Sequence, residues 1–210
     1  MKKIVTYIVL ALAALITLAP VIWTILSSMR PPAESLSVDG SFIPSSLDFS
    51  SYPAVFKEVD MWMLTLNSVL VTGIIAVGQM LSASMAGYVF ARFEFRGKNL
   101  LFALILATMM VPMQVTIVPV FMLIRGMNLA DTLLALILPA IPTAFGTFLM
   151  RQYFLGLPAE LGEAAEIDGA GPWRVFASIY APLAVPGMAI VGILAFNFHW
   201  NEFFRPLIMT

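Results

Sequence analysis

The chain has no cysteine. That excludes disulfides, thiolate metal sites and cysteine nucleophiles. It has one histidine, His199, so a metal centre built on several imidazoles is excluded too. Charge is scarce: 11% of the residues are charged, against about 25% in an average soluble domain. The formal net charge is −1, with no basic excess of the kind nucleic acid requires, so no nucleic-acid partner is expected. The phosphate-cradling pattern G-x-x-x-x-G-K-[ST] does not occur, so the chain is expected neither to bind nor to hydrolyse ATP.

What is there is apolar. Hydrophobic residues make up 60% of the chain, and mean hydropathy is +0.95. A soluble fold of this length would leave large apolar patches in water, and those aggregate. A lipid bilayer is the solvent that suits such a composition. The expected fold class is therefore all-α: a polytopic membrane protein, with residues 1–210 forming a single transmembrane domain.

Five stretches read as spans, at about 4–26, 64–90, 100–124, 132–150 and 175–197. The first holds no charge and, at ~1.5 Å per residue, reaches roughly 34 Å, enough for a hydrocarbon core of ~30 Å. Lys2 and Lys3 precede it, as in a signal peptide. Its apolar run exceeds the ~7–15 residues of a signal core, so it reads as an uncleaved anchor.

The loops set the orientation. Lys2, Lys3, Arg92, Arg96, Lys98, Arg151 and Arg174 fall on one side of these spans. Arg30, Lys57, Arg125 and Arg205 fall on the other. The positive-inside rule then puts the N-terminus in the cytoplasm of a multi-pass protein of the bacterial plasma (inner) membrane. The loop at 30–60 faces out, and is irregular apart from a short helix near Tyr52–Lys57.

One polar stretch interrupts the apolar chain on the cytoplasmic side: GLPAELGEAAEIDGAGPWRVF, residues 156–176. Pro158 suits a first helical position, where its missing N–H would be unpaired anyway. Glu160 and Glu163 suit the positive end of the helix dipole. Leu161, Ala164, Ala165 and Asp168 are expected on one face. Gly169 stops the helix, and Gly171–Pro172 starts the next. A short cytoplasmic helix over about 158–168 follows. By physics alone it is either a solvated connector or a docking element with carboxylates at Glu163, Glu166 and Asp168.

The spacing Glu163-Ala164-Ala165, Gly169, Ile179 and Pro182 resembles the EAA motif of the membrane subunits of bacterial ABC importers. Ala181 stands where that family usually has Leu. AGYVFARFEFRGK (86–98), NSVLV (67–71), MMVPMQVTIVPVF (109–121) and WNEFFRPLIMT (200–210) are similar to the carbohydrate-uptake branch, and to the maltose-type permease subunit with a short N-terminus. The resemblance implies the type I importer permease fold. It also implies import of a mono- or oligosaccharide, or a sugar derivative, driven by ATP and Mg on a partner. The expected partners are a second permease subunit, two copies of a cytoplasmic ABC ATPase, an extracytoplasmic solute-binding protein, the sugar and membrane lipid. It gives Glu163, Ala164, Ala165, Asp168 and Gly169 the role of coupling helix. No cofactor or metal is expected on this chain. The family usually carries a sixth span, and the expectation is that this chain lacks that last helix.

Polar groups within spans are costly in lipid and face cavities or partner helices. Asn67, Gln79, Gln114, Asn197, Asn201 and Glu202 are the candidates for a solute path. Equally, such residues glue helices together. Two other readings stay open: an ABC importer permease for a non-sugar solute, and an ion-coupled secondary transporter. The second would want charges at the centres of spans and an internal repeat, and neither is visible. A membrane-embedded enzyme would need a nucleophile–base spacing, also not visible.

Overall fold

The computed structural model describes residues 2–35 and 43–210. Part of the expected outer loop, residues 36–42, lies outside the described residues. The chain divides into two compact units, one up to Leu64 and one from Thr65 onward.

In the first unit α1, Lys2–Ser28, carries Pro20 inside it. Its hydroxyls bond back to the helix: Thr17 Oγ1 donates to Ala13 O, and Thr24 Oγ1 to Pro20 O, both at 2.8 Å. A hydroxyl bonded back to its own helix in this way presents no unsatisfied donor to lipid. Ile16, for example, is 75% exposed. The loop holds two short helices, α2 (Pro32–Ser35) and α3 (Ser51–Glu58). Ser28 Oγ lies 2.7 Å from Tyr52 Oη, Asp48 N donates to Met29 O, and Glu34 accepts from Ser45. These bonds tie the loop back to the end of α1.

The long helix α4, Met61–Arg92, covers the stretch expected at 64–90 and more. The other three expected spans are not single straight helices. The stretch at 100–124 is α5 (Lys98–Thr108) and α6 (Met113–Gly126), bent by 101°. Pro112 stands at the break in extended backbone, with φ −61° and ψ 138°, because proline cannot donate and its ring crowds the preceding turn. The stretch at 132–150 is α7 (Leu133–Ile137), a 3₁₀ turn (Leu138–Ala140) and α8 (Ala144–Leu155), bent by 42° around Pro139 and Pro142. Thr143 Oγ1 restarts the ladder by accepting from Gly146 N at 3.1 Å. Next comes the short helix α9, Glu160–Ile167, within the expected 158–168.

The stretch at 175–197 begins earlier and ends later. It is α10 (Pro172–Val175), a π-helical turn (Phe176–Tyr180), α11 (Ala181–Leu183) and α12 (Val185–Trp200), with a 72° bend. Pro182 and Pro186 remove donors there. A final helix, α13, runs Phe204–Met209. Among the described residues α1 and α4 are each long and apolar enough to cross a membrane, and counting each bent pair as one span gives up to five.

Close approach of α4 to α8 organises the core. A Cβ on Gly87 would lie 2.6 Å from Met150 Cβ and 2.7 Å from Arg151 N, so only glycine fits. Around that contact Ala83, Tyr88, Phe154, Phe176 and Tyr180 are buried together. A second cluster packs Met209 of α13 with Ile117, Ile124 and Leu136.

Candidate functional site

Two features bring chemistry-bearing residues together. The first is α9 and its mounting. Its end is a complete Schellman motif: Gly169 N donates to Glu166 O at 3.0 Å and Ala170 N to Ala165 O at 2.9 Å. Gly169 has φ +82°, the left-handed conformation that a side chain disfavours. Pro158 is not the first helical residue. It lies before the N-cap Ala159, and its carbonyl accepts from Tyr180 Oη at 3.2 Å, with Ala159 O at 3.4 Å from the same hydroxyl.

The expected grouping of Leu161, Ala164, Ala165 and Asp168 on one face is corrected. Gly162 and Ala165 turn inward, and Glu163, Ala164 and Ile167 turn outward. Gly162 decides this: a Cβ there would lie 2.8 Å from Tyr180 Oη. The residue with no side chain faces the tyrosine because nothing larger would fit. The outward row has an apolar member, Ile167, that is 87% exposed, beside the exposed Glu163 and Ala164. Asp168 and Gly169 are exposed as well.

Tyr180 is itself held from behind. The Arg92 guanidinium lies 4.7 Å from its ring centroid, and Arg92 Nη2 donates to Phe154 O at 2.7 Å and also to Leu157 O. In return Arg151 Nε on α8 donates to Phe90 O at 3.1 Å, near the end of α4. Each helix lends an arginine to the carbonyls at the other's C-terminus, where positive charge suits the dipole. The π-helical turn places Tyr180 in this position. Gly162 and Tyr180 were not singled out from the sequence, and Arg92 entered there only as a positive charge that sets orientation. The only available signal was Gly162 inside a short helix, where glycine disfavours helix unless close packing requires it.

The second feature is a cavity of about 690 Å³ where the helix breaks meet. It is lined by Thr108 and Met113 at the α5–α6 break, Pro139 and Thr143 at the α7–α8 break, and Asn197 and Arg205. Non-helical backbone at membrane depth is tolerated where it lines such a space. Gln79 Nε2 donates to Ala140 O at 2.8 Å, which orients the amide, since a carbonyl can only accept. The same nitrogen lies 3.2 Å from His199 Nε2. That ring nitrogen therefore accepts, and Nδ1 carries the proton and donates to Glu202 Oε2 at 2.8 Å. Glu202 Oε1 lies 3.2 Å from Arg205 Nε. Charge meets charge there without hydrogen-bond alignment, and Oε1 has no donor within the described chain.

Of the six solute-path candidates, Gln79 and Asn197 line the cavity and Glu202 stands behind its wall. Asn201 Nδ2 donates to Asn197 O at 2.7 Å and caps the end of α12. Asn67 on α4 and Gln114 on α6 do not line the cavity. His199 and Arg205, absent from those six, do.

Residues 79–210, from Gln79 through α9 and α13, match the family described as the inner membrane component of binding-protein-dependent transport systems. The arabinooligosaccharides transport system permease protein of Halalkalibacterium halodurans is 37% identical over 202 residues, covering 95% of this chain and 72% of that one. The diacetylchitobiose uptake system permease protein of Streptomyces coelicolor is 35% identical, covering 98% and 68%. A chain from the crystal structure of a bacterial ABC transporter involved in the import of the acidic polysaccharide alginate superposes with a TM-score of 0.85 at 27% identity, covering 99% of this chain and 74% of that one. Family model, relatives and superposed fold agree, and this chain belongs to the family of inner membrane components of binding-protein-dependent transport systems.

Proposed function

We propose that this chain is the membrane-spanning subunit of an ABC importer that carries a mono- or oligosaccharide, or a sugar derivative, inward across the inner membrane. In this reading α9 is the coupling helix. It docks on a cytoplasmic ATPase through Glu163, Ala164, Ala165, Asp168 and Gly169, and the N-terminus lies on the same side. ATP and Mg act on that separate subunit, present in two copies. A second permease subunit completes the path, and an extracytoplasmic binding protein delivers the solute.

The observation that carries the coupling role is the mounting of α9. A helix of two turns has little stability of its own. This one is pinned at its start by Tyr180, closed at its end by a Schellman motif, and packed so tightly at Gly162 that it cannot settle independently of the π-helical turn that carries Tyr180, which Arg92 of α4 holds from behind. An element that must pass motion between sites needs such rigid contiguity. Its outer row is bare: the side chains of Glu163 and Asp168 form no hydrogen bond or ion pair within the described chain. The sugar assignment is supported by the two relatives named for arabinooligosaccharides and diacetylchitobiose.

The test is Glu163→Lys in the assembled complex, with uptake and ATPase association measured together. Reversing a charge at an interface costs enough to lower uptake by about tenfold or more while the membrane subunit still folds, because Glu163 is exposed. Unchanged uptake together with unchanged association would remove the coupling role from this face.

A further inference from the structure

We infer that Glu202 sets the charge class of the solute: by neutralising Arg205 at the cavity wall, it makes the cavity a site for a neutral, hydroxyl-rich ring rather than a carboxylated one. The inference rests on the reading of this chain as a carbohydrate-importer subunit.

Arg205 is the one charged residue that lines the cavity, among the described residues. A free guanidinium there would be a ready fork for a carboxylate or phosphate. Here every nitrogen of the fork has a partner. Nε faces Glu202 Oε1 at 3.2 Å, Nη1 donates to Leu136 O at 3.3 Å, and Nη2 points at Met113 Sδ at 3.7 Å. The Glu202 side chain is 8% exposed, so its charge acts on the wall with little screening by water. The absence of a donor on Oε1 sharpens the point. A carboxylate kept for hydrogen bonding would be aligned on both oxygens, whereas this one meets arginine as a counter-charge.

The rest of the wall is neutral. Hydrogen bonding with Gln79 makes His199 Nε2 an acceptor, which is the uncharged tautomer. Gln79 Oε1 and the Asn197 side-chain amide have no partner within the described chain. Amides that both donate and accept suit sugar hydroxyls, which do the same. Phe145 and Phe198 add aromatic surface to the lining, of the kind that covers the C–H faces of a sugar ring. An acidic ring would bring a charge that nothing in this wall is free to pair, and its dehydration would go uncompensated.

The experiment uses the whole complex in lipid nanodiscs, without the soluble binding protein, so that the latter's selectivity does not enter. Equilibrium binding is measured for neutral probes (lactose, arabinotriose and diacetylchitobiose) and acidic ones (digalacturonate and dimannuronate). In the wild type at least one neutral probe binds about fivefold or more tighter than either acidic one. In Glu202→Gln the freed guanidinium raises affinity for an acidic probe by about tenfold, the scale of one charge-assisted hydrogen bond. Glu202→Gln combined with Arg205→Gln restores the neutral preference, which separates loss of charge from loss of folding. Acidic probes bound as tightly as neutral ones by the wild type overturn the inference while leaving the carbohydrate reading intact. So does a Glu202→Gln complex that folds and shows no gain for acid. Binding of no probe of either class defeats the carbohydrate reading, and the inference with it.

Discussion

Replacing Gly162 with alanine sets two effects of known size against each other. In an isolated helix the change would stabilise by about 1 kcal/mol, since glycine carries the larger entropy loss. In this structure the new methyl would meet Tyr180 Oη at 2.8 Å, Cε2 at 3.0 Å and Cζ at 3.3 Å. Tyr180 has nowhere to retreat. It is 2% exposed, its ring centroid lies 5.3 Å from that of Tyr88 and 6.4 Å from that of Phe154, and Arg92 sits against its face. Overpacking of this kind costs about 1–3 kcal/mol. Pushing the hydroxyl off Pro158 O and Ala159 O, which share its one proton, adds roughly 0.5–1.5 kcal/mol. Packing wins, and the docked α9 loses about 1–3 kcal/mol net. Amide hydrogen exchange in the nanodisc complex reads this directly: α9 amides should exchange about 5- to 150-fold faster than in the wild type. Tyr180→Phe added to Gly162→Ala removes the nearest contact and leaves the one at 3.0 Å, so the pair should be less than additive. Exchange in Gly162→Ala equal to or slower than in the wild type would refute the reasoning, by showing that the tyrosine wall yields and helix propensity governs.

Two further substitutions separate backbone from packing effects. Gly169→Ala meets no atom within 4 Å, so its cost is the left-handed φ alone, about 1–2 kcal/mol, and it should speed exchange at the Ala170 amide that closes the Schellman motif. Gly87→Val drives a side chain into Met150 and the Arg151 backbone, and should lower the detergent unfolding temperature by the equivalent of about 3 kcal/mol, whereas Gly73→Val, with nothing within 4 Å, should cost far less.

The apolar stretches were legible from hydropathy because lipid imposes the same demand on every turn of a spanning helix. Their breaks were not. Pro20 and Pro119 sit inside helices, while Pro112, Pro139 and Pro142 stand at bends. Each proline removes one donor. Whether the helix absorbs that loss or bends is decided by what packs beside it, and this lies far away in sequence. The same limit explains the faces of α9. Periodicity grouped Ala164 with Ala165, but the helix is turned by Gly162 meeting Tyr180, eighteen positions later in the chain.

By itself the sequence determined the solvent, the all-α class, the family motif and the stop at Gly169, because each depends on composition or on neighbours within a few residues. Only the tertiary structure decided which polar residues act together. Gln79 and His199 stand 120 positions apart, and meet because α4 and α12 converge beside the α7–α8 break. Glu202 and Arg205 are neighbours in sequence, yet their meaning changed most. As a sequence they are a scattered acid and base. In the fold they are one neutral wall, because burial at the cavity leaves each charge no other partner of opposite sign among the described residues.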